Sequence, residues 1–366
     1  MADRFTLGIE EEFQLVDPES RALKSHIEEM MAAGAHLGDQ LKPELHQSVV
    51  EVGTPICADV REARAAVVGL RRSLIGMAET SGARIVAAGT HPFSHWKDQE
   101  ITDRVRYMDI VNEMEDLARA NLIFGLHVHV GVDDDEMRIQ ILNGVRAFLP
   151  HLLALSVNSP FWCGRRTGVK SVRSTIFKRF PRTQIPDYFH SWGDYAKYVE
   201  LLVRTNCIDD GKKIWWDIRP HAYFKTLEFR VCDIPCRAEE TVALAALCQA
   251  LVAKLHRLFE SNLGIRMYHR AILEENKFRA LKTGLDGMMI DFGLRQEAPT
   301  RALILEVLNF VDDVVDDLGT RDEMRFLHAW AASGDTGADR QVRAFQRAGS
   351  LQAVVDLLVD ETRQGL

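Results

Sequence analysis

Glu10, Glu11 and Glu12 stand in a row between apolar residues in the stretch TLGIEEEFQLVD. Consecutive carboxylates in a buried strand repel one another and resist desolvation. Side chains alternate along a strand. Glu10, Glu12 and Gln14 therefore take one face, and Phe5, Leu7, Ile9, Phe13 and Leu15 the other. Glu11 intrudes on the apolar face, where it needs a buried arginine or a local bulge. The same alternation places Glu51 with Gln47 and Val49 in HQSVVEVGT. In NLIFGLHVHVGV it sets His127 and His129 opposite Leu126, Val128 and Val130. Glu228 and Arg230 share a face in YFKTLEFRVCD, as do Asp217 and Arg219 in KIWWDIRP. Any one of these faces could simply be solvated; it is the set that points to a site. If they converge, Glu10, Glu12, Glu51, Glu228, His127 and His129 line one concave surface. So many carboxylates cannot all stay ionised there without cations. Hard oxygen ligands with an added imidazole suit Mg²⁺ or Mn²⁺.

A second group is cationic. The stretch WCGRRTGVKSVRS carries Arg165, Arg166, Lys170 and Arg173. It reads either as a solvated basic loop or as a clamp for polyphosphate. Beside a carboxylate-lined surface in a net acidic chain, the clamp fits better. Arg166, Lys170 and Arg173, with Arg219, are then the expected nucleotide contacts. Arg173 and Arg230 are the expected catalytic cations. The aromatic residues Trp215, Trp216, Tyr223 and Phe224 read as sheet packing.

The elements that must position these groups follow from periodicity. Strands are expected at 4–16, 45–53, 83–89, within NLIFGLHVHVGV, and at 213–219 and 223–233. Helices are expected at 26–40, 58–81, 102–118 and 133–158. Residues 159–190 lack periodicity and read as a functional loop or lid. From Ala238 onward the pattern is helical. One apolar and one polar face per strand points to a largely antiparallel sheet with helices on one side. The chain of 366 residues has a formal charge of −8, which argues against nucleic-acid binding. Its six cysteines are scattered without a C-x-x-C, so disulfides and structural zinc are not expected. There is no signal-peptide pattern and no run of about 18 apolar residues, so no membrane is expected and a cytoplasmic location is.

The segments GIEEEF, VVEVGT, GTHPF, GLHVHVG, NSPFW, WWDIRPH and TLEFRVCD occur in this order over about residues 5–235. Together they resemble the ATP-dependent carboxylate–amine ligases of the bacterial glutamate–cysteine ligase type 2 family. The resemblance implies an α+β, glutamine-synthetase-like fold. A mostly antiparallel curved sheet (about 1–236) would carry helices on its outer face. A helical C-terminal part (about 237–366) would complete a single catalytic domain. It further implies ATP and Mg²⁺ or Mn²⁺ on the concave face, with Glu10, Glu12, Glu51, His127 and Glu228 as metal ligands. Arg230, Lys170 and Arg173 are the basic residues it implies. His129 is a weaker candidate for orienting substrate.

The expected reaction is amide formation, nominally between the γ-carboxylate of glutamate and the amine of cysteine. It would pass through an acyl phosphate and release ADP and phosphate. A metal-dependent amide hydrolase using the His-x-His pair and the carboxylates is the alternative. Partners are expected to be small molecules, with a homo-oligomer left open.

Overall fold

A computed structural model describes residues 5–366. Its centre is a seven-stranded sheet. The strands are β1 (Leu7–Val16), β2 (Leu41–Pro43), β3 (Val49–Gly53), β4 (Arg84–Val86), β5 (Gly125–Gly131), β6 (Ile218–Pro220) and β7 (Thr226–Asp233). Their order is β6-β7-β5-β1-β3-β2, with β4 pairing the far end of β1. Every pairing in this sheet is antiparallel. That is the mostly antiparallel sheet expected from the alternation.

The sheet forms because its apolar face has a matching layer. Leu7 and Ile9 of β1, Leu126 and Val128 of β5, and Leu227 and Phe229 of β7 join one core cluster. The helix Ala238–Glu260 contributes Val242, Leu244, Leu247 and Leu251 to that cluster. This helix is apolar on almost every side, as a helix packed all round must be. It touches the sheet at β1 and β5 and the helices Val60–Thr80, Asp135–Val145, Thr300–Leu318 and Arg321–Ser333. It is also long and apolar enough to cross a membrane, but 78% of the relevant window is buried inside the fold.

Several elements depart from the sequence expectation. The helix expected at 26–40 is a short helix, Ile27–Ala33, followed by 3₁₀ turns. Of the strand expected at 45–53 only β3 (Val49–Gly53) forms, and the short β2 precedes it at Leu41–Pro43, outside the expected range. The helix at 102–118 breaks at Glu115, whose φ is +51°. The helix at 133–158 is interrupted by a 3₁₀ turn, and its last part starts at Leu149 with Pro150 in the first turn. Proline lacks the N–H that a continuous helix would need there. The C-terminal helices are interrupted by a hairpin, Met288–Asp291 with Gln296–Pro299.

Segment 159–190 is not a free loop. It holds a two-residue strand pair and the helix Val172–Phe177. It is fastened through Asp233, which accepts hydrogen bonds from the hydroxyls of Ser159 (2.6 Å) and Ser171 (2.8 Å) and from the backbone of Asn158 (2.9 Å).

Candidate active site

The antiparallel register brings the polar faces together. Lys42 pairs Glu51 across β2 and β3, and Glu51 pairs Glu12 across β3 and β1. Glu10 pairs His127 across β1 and β5. His129 pairs Glu228 across β5 and β7, and Glu228 pairs Arg219 across β7 and β6. One continuous band of ionisable groups thus crosses six strands. It floors a cavity of about 570 Å³.

Glu11 points the other way. Its carboxylate meets the buried guanidinium of Arg71 at 2.5 Å and 3.0 Å and accepts a hydrogen bond from the Thr241 hydroxyl. Arg71 also donates to the carbonyl of Cys236, at 2.5 Å. The middle glutamate is a bolt between β1, the helix Val60–Thr80 and the start of the helix Ala238–Glu260. The outer two face the cavity.

Three triads of ligand atoms lie close enough to hold one cation each: Glu10, Glu51 and His127; Glu10, His129 and Glu228; Glu12, Glu44 and Glu51. Their electrostatics differ. Burial pushes Glu12 up to about 7, and the nearby Glu51 adds to it. Burial pushes Glu51 up to about 8, helped by Glu10 and Glu44. Burial pushes Glu44 up to about 7, and Glu12 raises it further. These three lack the positive charge they need. Glu10 resists its burial, because hydrogen bonds from His127 (3.3 Å to Nδ1) and the approach of His129 hold it well below the usual range. Burial pulls His127 down to about 4, and Arg230 pulls in the same direction. His127 is therefore neutral near pH 7 and donates from Nδ1, which leaves Nε2 as an electron-pair donor. The His129 Nε2 is buried with no hydrogen-bond partner. Undercompensated carboxylates beside imidazole nitrogen donors are a chemical fit for a divalent cation.

Glu228 is the opposite case. Against its burial, Arg219 and then Arg230 hold it well below the ordinary range. Arg219 grips both of its oxygens, at 2.7 Å and 3.1 Å, and Arg230 donates to one of them. Arg219 also donates to the carbonyls of Lys212 (2.8 Å) and Ile214 (2.6 Å). It is a positioning group here, with little donor capacity left for a nucleotide. Arg230 is aimed by a β-bulge, since the register of β7 against β5 shifts between Phe229 and Cys232. Arg173 reaches the cavity from the helix Val172–Phe177. Its guanidinium lies over Gly125, where an added Cβ would sit 2.3 Å from Nη2. Only glycine leaves room for that approach.

Eight of the sequence-selected residues line the cavity: Glu10, Glu12, Glu51, His127, Glu228, Arg173, Arg219 and Arg230. His129 lies just behind them. Two do not belong. Lys170 is directed to the C-terminal part, with its Nζ 2.6 Å from Asp339 and 2.9 Å from Asp286. Its charge is satisfied there, outside the cavity. Arg166 is exposed on a two-residue strand and does not line the cavity. The sequence reading missed Lys42, Glu44, Arg106, Tyr107 and Lys212, all of which line it. A signal was present for Glu44, since PELHQSVVE carries two glutamates within one short stretch. Trp216 does pack in a core, as expected, but Tyr223 and Phe224 are exposed at the cavity's mouth.

Comparison with known proteins agrees with this picture. The sequence pattern described as "Glutamate-cysteine ligase family 2" matches residues 6–357. A relative from Solibacter usitatus, named "Putative glutamate--cysteine ligase 2", is 54% identical over 99% of this chain and 94% of its own. One of the same name from Roseiflexus castenholzii is 55% identical over 99% and 96%. Among solved structures, the glutamate–cysteine ligase of Francisella tularensis, in complex with AMP, superposes with a TM-score of 0.74. It covers 99% of this chain and 89% of that one at 12% identity. A bifunctional glutathione synthetase from Pasteurella multocida gives 0.72 at 16% identity, covering 99% of this chain and 52% of that one. At such identities the likeness is one of fold.

Fold, site and relatives together define an ATP-dependent amide-forming ligase. Within that class, the chain belongs to glutamate–cysteine ligase family 2.

Proposed function

We propose that this chain joins the γ-carboxylate of glutamate to the amine of cysteine by way of an acyl phosphate, releasing ADP and phosphate. The observation that supports this best is the band of carboxylates and imidazoles meeting Arg173 and Arg230 in one cavity. A free carboxylate is a poor electrophile, so it must be activated before an amine attacks. Glu10, Glu12, Glu51, His127 and Glu228 would hold Mg²⁺ or Mn²⁺, with Glu44 as a further ligand. Bound there, the cation supplies charge neutralisation for the nucleotide phosphates. Arg173 and Arg230 stabilise charge on the group in flight. Arg219 holds Glu228 in place, and His129 orients substrate beside it. The amine then attacks the activated carbonyl, and phosphate leaves. The hydrolase alternative gains nothing from this geometry, because it gives no role to Arg173 and Arg230.

The test is isotopic. With ¹⁸O in the substrate carboxylate, one label should appear in inorganic phosphate per turnover, and ADP should be the nucleotide product. Label in AMP, or amide formation without nucleotide consumption, would overturn the proposal.

A further inference from the structure

The ammonium of Lys42 enters the carboxylate band from β2, the strand at the sheet's edge. Its Nζ lies 3.0 Å from Glu10 Oε1 and 3.1 Å from Glu51 Oε1. The same two carboxylates, with His127, form one of the candidate cation triads. A side chain of this protein therefore stands on two of the carboxylates that a divalent ion would use.

The backbone fixes this arrangement, because Lys42 lies opposite Glu51 in the β2–β3 register. The side chain is 44% exposed, so displacing it would not open a packed core. Among the described residues, Nζ makes no hydrogen bond beyond these two. Mg²⁺ takes its oxygens at about 2.0–2.1 Å. An ammonium hydrogen-bonded to the same two carboxylates would press against the ion with like charge. The two occupants exclude each other.

We propose that Lys42 is a tethered counter-cation. It holds Glu10 and Glu51 together while no divalent ion is bound, and the entering ion displaces it into the cavity. The inference rests on the reading of Glu10 and Glu51 as metal ligands. It gives the site a preformed shape before the metal arrives, since without the ammonium the two carboxylates would repel. The consequence is a weaker apparent metal affinity, because entry requires displacement.

Mn²⁺ binding to the full chain, followed by the electron paramagnetic resonance of free Mn²⁺, tests it. Lys42→Met should bind Mn²⁺ about tenfold more tightly than the wild type, a coupling of ordinary size. Lys42→Arg, which keeps the charge, should stay closer to the wild type. A second readout uses the wild type alone. Reductive methylation of Lys42, located by mass spectrometry, should speed up when Mg²⁺ is added. Unchanged or weaker Mn²⁺ binding in a folded Lys42→Met, or methylation that Mg²⁺ slows or leaves alone, overturns the proposal. If Lys42→Met does not fold, the methylation result decides. If the wild type binds no Mn²⁺, or Glu51→Gln binds it as well, the metal reading itself fails and this inference falls with it.

Discussion

Glu51 and Glu228 sit on one face of one sheet with opposite electrostatic surroundings. Glu51 is pushed up to about 8, chiefly by burial and then by Glu10 and Glu44, with Lys42 offering only partial relief. Neutralising it removes a repulsion. Glu51→Gln should lose most turnover yet melt no lower than the wild type in the absence of metal. Glu228 is held by Arg219 and Arg230, so Glu228→Gln leaves two buried guanidinium groups without their counter-charge. Breaking a buried pair in this way costs about 3 kcal/mol or more. Glu228→Gln should therefore lose turnover and also melt well below the wild type. Thermal melts of both variants in chelator are the check; equal melting of the two would show that the carboxylates are not distinguished as described. Lys170 supplies a contrasting case. Its partners are Asp286 and Asp339, from the helical part of the chain. Lys170→Ala should cost about 1 kcal/mol of stability and leave the KM for ATP unchanged. A raised KM would return it to the nucleotide site.

At the scale of elements, the turn after β4 shows how a motif can matter without touching chemistry. His91 of GTHPF is fully buried, away from the cavity. Its Nε2 donates to the carbonyl of Arg21 at 2.9 Å, and its Nδ1 accepts from the backbone N–H of Ser94 at 2.9 Å. Both bonds need the neutral ring, and burial pulls its pKa down to about 3. The unfolded ring protonates near its ordinary 6.5, so this contribution is intact above that value and is lost as pH falls toward 3. Between pH 6.5 and 5 the loss amounts to about 2 kcal/mol. In His91→Gln the fall of unfolding free energy over that range should be shallower by up to one proton, as read by denaturant titration at several pH values. An unchanged slope would place the proton uptake elsewhere. The faces of β1, β3, β5 and β7 were legible in the sequence, because a sheet covered on one side writes its burial as alternation. That was enough to collect Glu10, Glu12, Glu51, His127 and Glu228. Lys42 was not legible as a site residue, since the three-residue β2 carries no period, and Glu44, in the turn after it, showed only as a second glutamate close to Glu51. The bulge near Arg230 was hidden because it shifts the pairing without changing residue types; it turns Cys232 to the core and frees Asp233 to fasten segment 159–190. For Lys170, charge alone could not name a partner more than 100 positions away.

The whole molecule depends on joining its sheet to its helices. The core cluster under the sheet draws as heavily on Val242, Leu251, Leu308 and Val315 as on the strands themselves. The C-terminal helix Leu351–Arg363 closes a second cluster, where Val354, Val355 and Leu358 meet Val16 and Val86. Polar bonds cross the same boundary. Ala87 donates its backbone N–H to the Thr362 hydroxyl at 3.0 Å, and Gln341 donates to the side chain of Asn158 at 2.7 Å. Arg340 lies between Glu240 and Glu361, both buried. The Glu11–Arg71 bolt ends on Cys236 and Thr241, at the junction of the two parts. Residues 1–236 alone would expose the apolar face of β1, β5 and β7 to water and leave that bolt short of a partner. Uncovered apolar area forfeits about 25 cal/mol per Å², which a marginally stable fold cannot absorb. We therefore propose that the chain is one cooperative unit. The full chain should melt in a single calorimetric transition, and a fragment ending at residue 236 should show no cooperative melt. The fragment 237–366 added in trans should restore one if the two halves recognise each other. A fragment 1–236 that melts cooperatively by itself would show two domains instead.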